Sequence, residues 1–500
     1  MMQQPYYAAQ PYGQPYGQPV IWHGAPPPKQ TLERHHRCND ICFSFLFFVH
    51  LGVIAYVTAK YVPLAINQEI SIYNNNNNDN NSNNNANNNS SGEQIDNSSV
   101  HAILILIAIV GGITVLVSTL TMNILIYCAH GLITAALIFN IISFGLVATQ
   151  GIIMGNPVVI TLGAMMTLLA IWFACSVWIR IPFAAANLET ATRAIRDNFG
   201  VTIFAYMSLI ISFLWNVWFM VAFSSFIIVE NSQYTNQNGS NDDAQVHQSQ
   251  SPEFYLYLFL FSLSYYWTYQ VIKNHVHVTV AGTVGTWWFL PQEAASCCSC
   301  AVCASFYRAS TYSFGSICMG SLLVAIIQAM KEVLNYMRES DDGIILCLAQ
   351  CCLSCIESIA EYFNQWAYVY VGLYGYNFLE AGQQVISLFT ARGWTVIVAD
   401  YLVDRVLLMV SVLVGLVIGI LAIVIAEYSS LNVSVGNAFL IGASIGVMLN
   451  SVLMNVIGSA VNTVIVCFAE APQEFLMNHP ELHNKMVNAW RLAWPAQFRY

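Results

Sequence analysis

From residue 100 to about 150 the chain carries no Asp, Glu, Lys or Arg, and most of its side chains are aliphatic. A run of this kind belongs in a bilayer. About 20 helical residues suffice for one crossing, so the run is too long for a single span. A semi-polar break at Thr121, Asn123, His130 and Gly131 predicts a helical hairpin. The whole chain follows suit, with 57% hydrophobic and only 8% charged residues, a balance that excludes a water-soluble globule. Its apolar runs are continuous rather than alternating in segments of about ten residues, which argues against a strand barrel. The expected fold is all-α: a polytopic integral membrane protein with about ten transmembrane helices, some of them re-entrant or broken.

Residues 1–28 are rich in Pro, Tyr, Gln and Gly and lack the basic-then-apolar order of a cleavable signal. Residues 1–40 therefore read as a disordered cytoplasmic tail open to cytoplasmic partners, 41–468 as a transmembrane transporter domain and 469–500 as a cytoplasmic tail. Lys29, Arg34 and Arg37 precede the first apolar run (41–62) and place the amino terminus in the cytoplasm. An Asn-rich outer loop follows at 63–99, with glycan acceptor sequons at Asn80, Asn88, Asn89 and Asn97. Asn238, in a loop without Lys or Arg (230–252), and Asn432, between the last two spans, complete the set of candidate glycosylation sites. Further spans read at 156–178, 201–229, 253–272, 402–428 and 435–467. Arg180, Arg193 and Arg196 lie in an amphipathic connector between the first two of these. Of the sixteen Lys and Arg, all but Lys60, Lys331 and Arg338 fall in segments this arrangement places inside.

Parity is harder to assign between 300 and 390. Arg308 precedes the apolar segment 313–330, while Lys331, Arg338 and a cysteine cluster follow it, so both flanks look cytoplasmic. The segment 366–390 poses the same problem, with Arg392 beyond it. Two arrangements satisfy the pattern. Either 331–365 lies outside despite its basic residues, or the two segments dip in and return as broken elements lining a pathway.

The chemistry-bearing residues favour recognition over catalysis. Aromatic side chains cluster at Trp215, at Tyr265, Tyr266 and Trp267, in the glycine-rich stretch AGTVGTWWF at Trp287 and Trp288, and around Tyr374. A quaternary ammonium ion cannot donate hydrogen bonds, so an aromatic box near a carboxylate suits it. Glu380, within an apolar segment, is the candidate carboxylate; Asp400 and Asp404 read as interfacial, and His50 as a packed polar residue. Cys297, Cys298, Cys300 and Cys303, with Cys347, Cys351, Cys352 and Cys355, contain C-x2-C steps, but their separation and the lack of a suitable His point to reduced, juxtamembrane, acylatable thiols rather than zinc. No phosphate-binding loop, nucleophile with its base, or metal set is evident. An enzyme, a cofactor, a resident metal and a nucleic-acid partner are all unexpected.

AGTVGTWWF at 281–289, YSFGSICMGSLLVAIIQAMK at 312–331, CCLSCIE at 351–357, FNQWAYVYVGLYGYNF at 363–378 and the NHPEL segment at 478–482 occur in fixed order. This set resembles the choline transporter-like proteins, a solute carrier family, over roughly residues 200–490. The resemblance implies about ten transmembrane helices, both termini cytoplasmic, a cell-surface location, and movement of choline or a related small organic cation without ATP hydrolysis. A short Asn-rich first loop is closer to the fungal and protist branch than to the animal one. The family's NFCxSA pattern reads NFLEAG at 377–382, so Leu379 and Glu380 are not inherited as site residues. The alternative function is a non-transporting scaffold or regulator of membrane lipid properties.

Overall fold

In a computed structural model of the chain, the described residues are 34, 37–82, 97–238, 252–294, 296, 299–340, 344–392, 394–429 and 433–493. The tail 1–33, the sequons Asn88, Asn89 and Asn432, and Cys297 and Cys298 lie outside them. Among the described residues fourteen α-helices are formed: α1 (Ile41–Ser82), α2 (Asn97–Met154), α3 (Pro157–Val177), α4 (Ile181–Asp197), α5 (Gly200–Asn238), α6 (Pro252–Phe289), α7 (Cys300–Ser310), α8 (Phe314–Ser340), α9 (Ile344–Tyr374), α10 (Phe378–Arg392), α11 (Trp394–Tyr428), α12 (Val435–Glu470), α13 (Pro472–Asn478) and α14 (Pro480–Ala493). No strand occurs among the described residues.

Among the described residues eight helical segments are long and apolar enough to cross a membrane, and the chain is a multi-pass membrane protein. Two features account for the difference from about ten. The run within α2 counts once although it is 50 residues long, and α6, 38 residues long, carries too many Tyr, Thr, Asn, Gln and His side chains to qualify. In α2 the break expected near residues 121–131 falls at Cys128, whose backbone (φ −117°, ψ 16°) kinks the helix. Its polar side chains are satisfied locally: Thr121 and Thr134 donate to the carbonyls of Ser118 and His130, at 2.7 and 3.0 Å. Each half exceeds the roughly 20 residues a crossing needs. Leu116, Leu120, Ile124 and Tyr127 form an exposed apolar face, as lipid contact requires, while Leu106, Val110, Leu125 and Ile133 turn inward.

The glycine-rich AGTVG sequence does not interrupt α6. It serves close approach instead. A Cβ on Gly372 of α9 would lie 2.6 Å from the Val278 carbonyl oxygen and 2.7 Å from the Ala281 Cβ of α6. Only hydrogen fits there, which is how small residues let membrane helices pack backbone to backbone. Gly415 and Gly419 on α11 meet Gly442 and Gly446 on α12 by the same device.

The basic residues of 331–365 have a structural explanation. α8 is continuous through 313–330, and α9 returns beside it as a second apolar helix of spanning length. Lys331 Nζ lies 2.8 Å from Glu357 Oε2, and Arg338 Nη1 donates to Gln350 Oε1 at 2.6 Å. Both cations are partnered across the α8–α9 hairpin, so they carry little information about the cytoplasmic side. The break falls later, at Gly375, whose φ of 71° ends α9. Asn377 and Glu380 then form a capping box that starts α10: Glu380 N donates to Asn377 Oδ1 at 2.8 Å and Asn377 N to Glu380 Oε2 at 3.3 Å. α10 packs back against α9. Phe378 packs on Tyr368 and Phe389 on Trp366, at ring separations of 5.9 and 5.6 Å.

Candidate functional site

α6 is the polar centre of the bundle. Gln270, Asn274 and His277 recur at helical spacing and are buried, so each needs a partner. Gln270 Nε2 donates to Gln328 Oε1 at 3.2 Å and Glu361 Oε1 at 3.1 Å, and Asn274 Nδ2 donates to Ser321 Oγ at 3.0 Å. His277 ties three helices: Nε2 lies 2.9 Å from the Gln365 carbonyl of α9 and Nδ1 lies 2.6 Å from Ser459 Oγ of α12. Since a carbonyl only accepts, Nε2 carries the proton and Nδ1 accepts from Ser459.

Against this stripe, α5, α6, α11 and α12 flank a cleft of about 440 Å³ that Asn274, His277 and Gln365 also line. That volume falls within the usual 300–1,000 Å³ range of small-molecule sites. Its lining mixes aliphatic groups with Ser208, Ser212, Asn455, Asn462, Tyr269, Lys273 and Asp404. Asp404 is exposed to the cleft although it stands inside the helix bundle. One turn away, Asp400 is only 2% exposed, and its Oδ2 has no hydrogen-bond partner among the described residues. Tyr362 of α9 neighbours it.

Asp400 is thus buried and Asp404 accessible, both at the head of the apolar span Asp400–Tyr428. Their i, i+4 spacing at the head of a strongly apolar helix is the sequence signal that marks them. It puts both carboxylates on one helix face, where an exposed charge would normally be avoided.

The aromatic candidates do not form one box. Trp215 belongs to a separate apolar cluster with Phe219, Phe226 and Phe261 between α5 and α6. Tyr265 donates to Asn216 Oδ1 at 2.7 Å, Tyr266 to Glu332 Oε2 at 3.4 Å, and Trp267 to the Cys318 carbonyl at 3.0 Å. His50 stacks on Trp267 at 4.6 Å. Trp287 and Trp288 lie about 30 Å further along the same helix at roughly 1.5 Å per residue. There Trp287 Nε1 donates to Asp197 Oδ2 at 3.1 Å and its ring stacks on His479 at 3.9 Å. Trp288 stacks on Phe475 at 3.9 Å and donates to the Ala471 carbonyl at 3.0 Å. The pair docks α13 and the NHPEL segment onto α6; Asn478 Nδ2 adds a bond to the Trp288 carbonyl at 2.9 Å. Tyr374 donates to Glu470 Oε2 at 2.6 Å, and Glu380 is an exposed helix cap. Tyr269, two residues beyond Trp267 on α6, reaches the cleft.

The end of the bundle where α9 breaks is tied to the start of the described chain. Arg34 Nη2 donates to the Gly282 carbonyl at 3.1 Å and Thr286 Oγ1 at 2.8 Å, and its Nε donates to the Leu373 carbonyl at 3.3 Å. Burial, reinforced by the nearby Arg308 guanidinium, lowers the Arg34 pKa to about 9. Asn39 Nδ2 donates to the Gly375 carbonyl at 2.7 Å. Asp40 (φ 53°) accepts from Ser316 Oγ at 2.7 Å and Phe378 N at 3.0 Å, so one carboxylate holds a hydroxyl in the first turn of α8 and a free backbone N–H at the start of α10.

An all-helical, multi-pass bundle with a polar cleft among its apolar helices defines a class of membrane protein with an internal polar site. A family model described as "Plasma-membrane choline transporter" matches residues 161–473, and the chain belongs to this choline transporter-like family. Among curated proteins it is 30% identical over 329 residues to Protein PNS1 of Debaryomyces hansenii, covering 63% of this chain and 62% of that one. It is 28% identical over 331 residues to Protein PNS1 of Yarrowia lipolytica, covering 64% and 57% respectively. A CTL-like protein of Dictyostelium discoideum is 28% identical over 342 residues, covering 66% and 56%. The chain thus spans 56% to 62% of the length of these three relatives.

Proposed function

We propose that this chain moves choline or a related small organic cation across the membrane by facilitated or exchange transport, without ATP hydrolysis, and that the cleft between α5, α6, α11 and α12 is its substrate site. The observation that carries this reading is Asp404, an accessible carboxylate among hydroxyl and amide side chains inside an apolar bundle. A charge in that setting is costly unless it has a task. The carboxylate supplies attraction for a cation that cannot donate hydrogen bonds, Tyr269 offers one aromatic face, and Asn455 or Asn462 can bond a substrate hydroxyl. The family model's description supports the same substrate class and a plasma-membrane location.

Arg34 and Arg308 sit at the end where α9 breaks, the end expected to face the cytoplasm. With that end inside, Asn80 and Asn238, at the far ends of α1 and α5, would face the side on which glycosylation occurs. Radiolabelled choline uptake by proteoliposomes tests the reading. Saturable uptake, inhibited by excess unlabelled choline, is expected; uptake no greater than in protein-free vesicles would sink it.

A further inference from the structure

A second cleft, of about 310 Å³, opens on the outer side of the bundle between α2, α3 and α11. Its walls are mainly apolar and aromatic. Two polar groups stand among them, Asn140 and Arg405. The Arg405 guanidinium carbon lies 4.6 Å from the centre of the Tyr401 ring, and Phe173 braces that ring edge-on at 5.1 Å. No ion pair within 4.0 Å and no hydrogen bond involves Arg405 among the described residues. Its neighbour Asp404 is turned roughly 100° around the helix and opens into the other cleft. A half-buried guanidinium stacked on one ring therefore keeps its planar fork of N–H donors for something else.

Position and charge together define the ligand. Trp172 and Trp178 are 69% and 54% exposed on α3 and the turn that follows, and Arg180 ends that turn, the pattern of an interfacial belt at a headgroup layer. An organic cation gains nothing from a cleft whose one charged side chain is a guanidinium. A soluble anion would leave the apolar walls uncovered. We propose that this cleft holds one anionic glycerophospholipid from the surrounding leaflet, its phosphate bonded by Arg405 and Asn140 and an acyl chain lying against Phe144, Leu169 and Trp172. Arg–phosphate geometry is bidentate and charge-assisted, and basic pockets between membrane helices select anionic headgroups.

The test needs no transport readout, so it stands or falls separately from the proposed function. The full chain in mild detergent is equilibrated with mixed micelles of phosphatidylserine and phosphatidylcholine bearing identical acyl chains, and retained lipid is counted by native mass spectrometry. One phosphatidylserine is expected to remain, with a preference of about tenfold over phosphatidylcholine. Arg405→Gln should abolish the preference, while Arg405→Lys should keep part of it. Trp172→Ala alters an exposed wall residue and should lower retention of both lipids without changing their ratio, which keeps the proposal testable if Arg405→Gln does not fold. Equal retention of the two lipids by the unaltered protein, an undiminished preference in Arg405→Gln, or unchanged total retention in Trp172→Ala would overturn it.

Discussion

Asp404 and Lys273 line the same cleft from α11 and α6 without forming an ion pair within 4.0 Å. Opposite charges left apart in a low-dielectric setting act on whatever enters between them. A cationic substrate of the kind proposed would be drawn by Asp404 and opposed by Lys273.

Lys273→Met should therefore lower the KM for choline about threefold, with kcat changed less, because it removes a like charge and leaves the apolar stem. Uptake kinetics in proteoliposomes at several choline concentrations check this. A raised KM would place the lysine on the attractive side of recognition.

At the α6–α9 crossing, Gly372→Ala should destabilise the protein by about 1–3 kcal/mol, since its methyl group meets the Val278 carbonyl and the Ala281 side chain. Thermal unfolding in detergent reads this out. Gly436→Ala, with open space around its Cβ position, serves as the control and should change little.

His479 stacks on Trp287 where α13 meets α6, and burial lowers its pKa, partly offset by its bond to the Trp287 carbonyl and by Asp197. The folded protein thus binds this proton at a lower pH than the unfolded chain, whose pKa lies near 6.5. As pH falls through 6.5, docking of the carboxyl-terminal helices weakens, and the loss levels off below the folded-state pKa. Limited proteolysis should cut near α13 and α14 faster at pH 5 than at pH 7.5. His479→Gln should flatten that dependence.

Arg34 joins α6 to the end of α9 through three hydrogen bonds. Arg34→Gln should increase hydrogen–deuterium exchange at residues 372–378 several-fold while leaving exchange in the α11–α12 pair unchanged. Equal exchange in both proteins would show that the tie does not hold the break.

The membrane class and most helix positions were legible in the sequence because a crossing imposes a length and a composition that no other setting requires. Spans read at 402–428 and 435–467 correspond to α11 and α12, and the connector read around Arg193 and Arg196 to the amphipathic helix α4. Lys331 misled because its charge is balanced by Glu357, a residue brought near only by the α8–α9 hairpin. Trp287 and Trp288 looked like a cation box because an indole face serves packing and recognition equally well; their burial against His479 and Phe475 is a tertiary fact. Asp404 was passed over for the opposite reason. Its access to a cleft depends on how four helices separate, which no local pattern records.

The most direct test compares choline uptake by the unaltered protein, Asp404→Asn and Asp404→Glu in the same proteoliposomes, with thermal unfolding confirming that all three fold. Asp404→Asn removes the charge and should reduce kcat/KM by at least about tenfold, while Asp404→Glu retains a substantial part of it. Undiminished saturable uptake by Asp404→Asn would contradict the assignment of this cleft as the cation site.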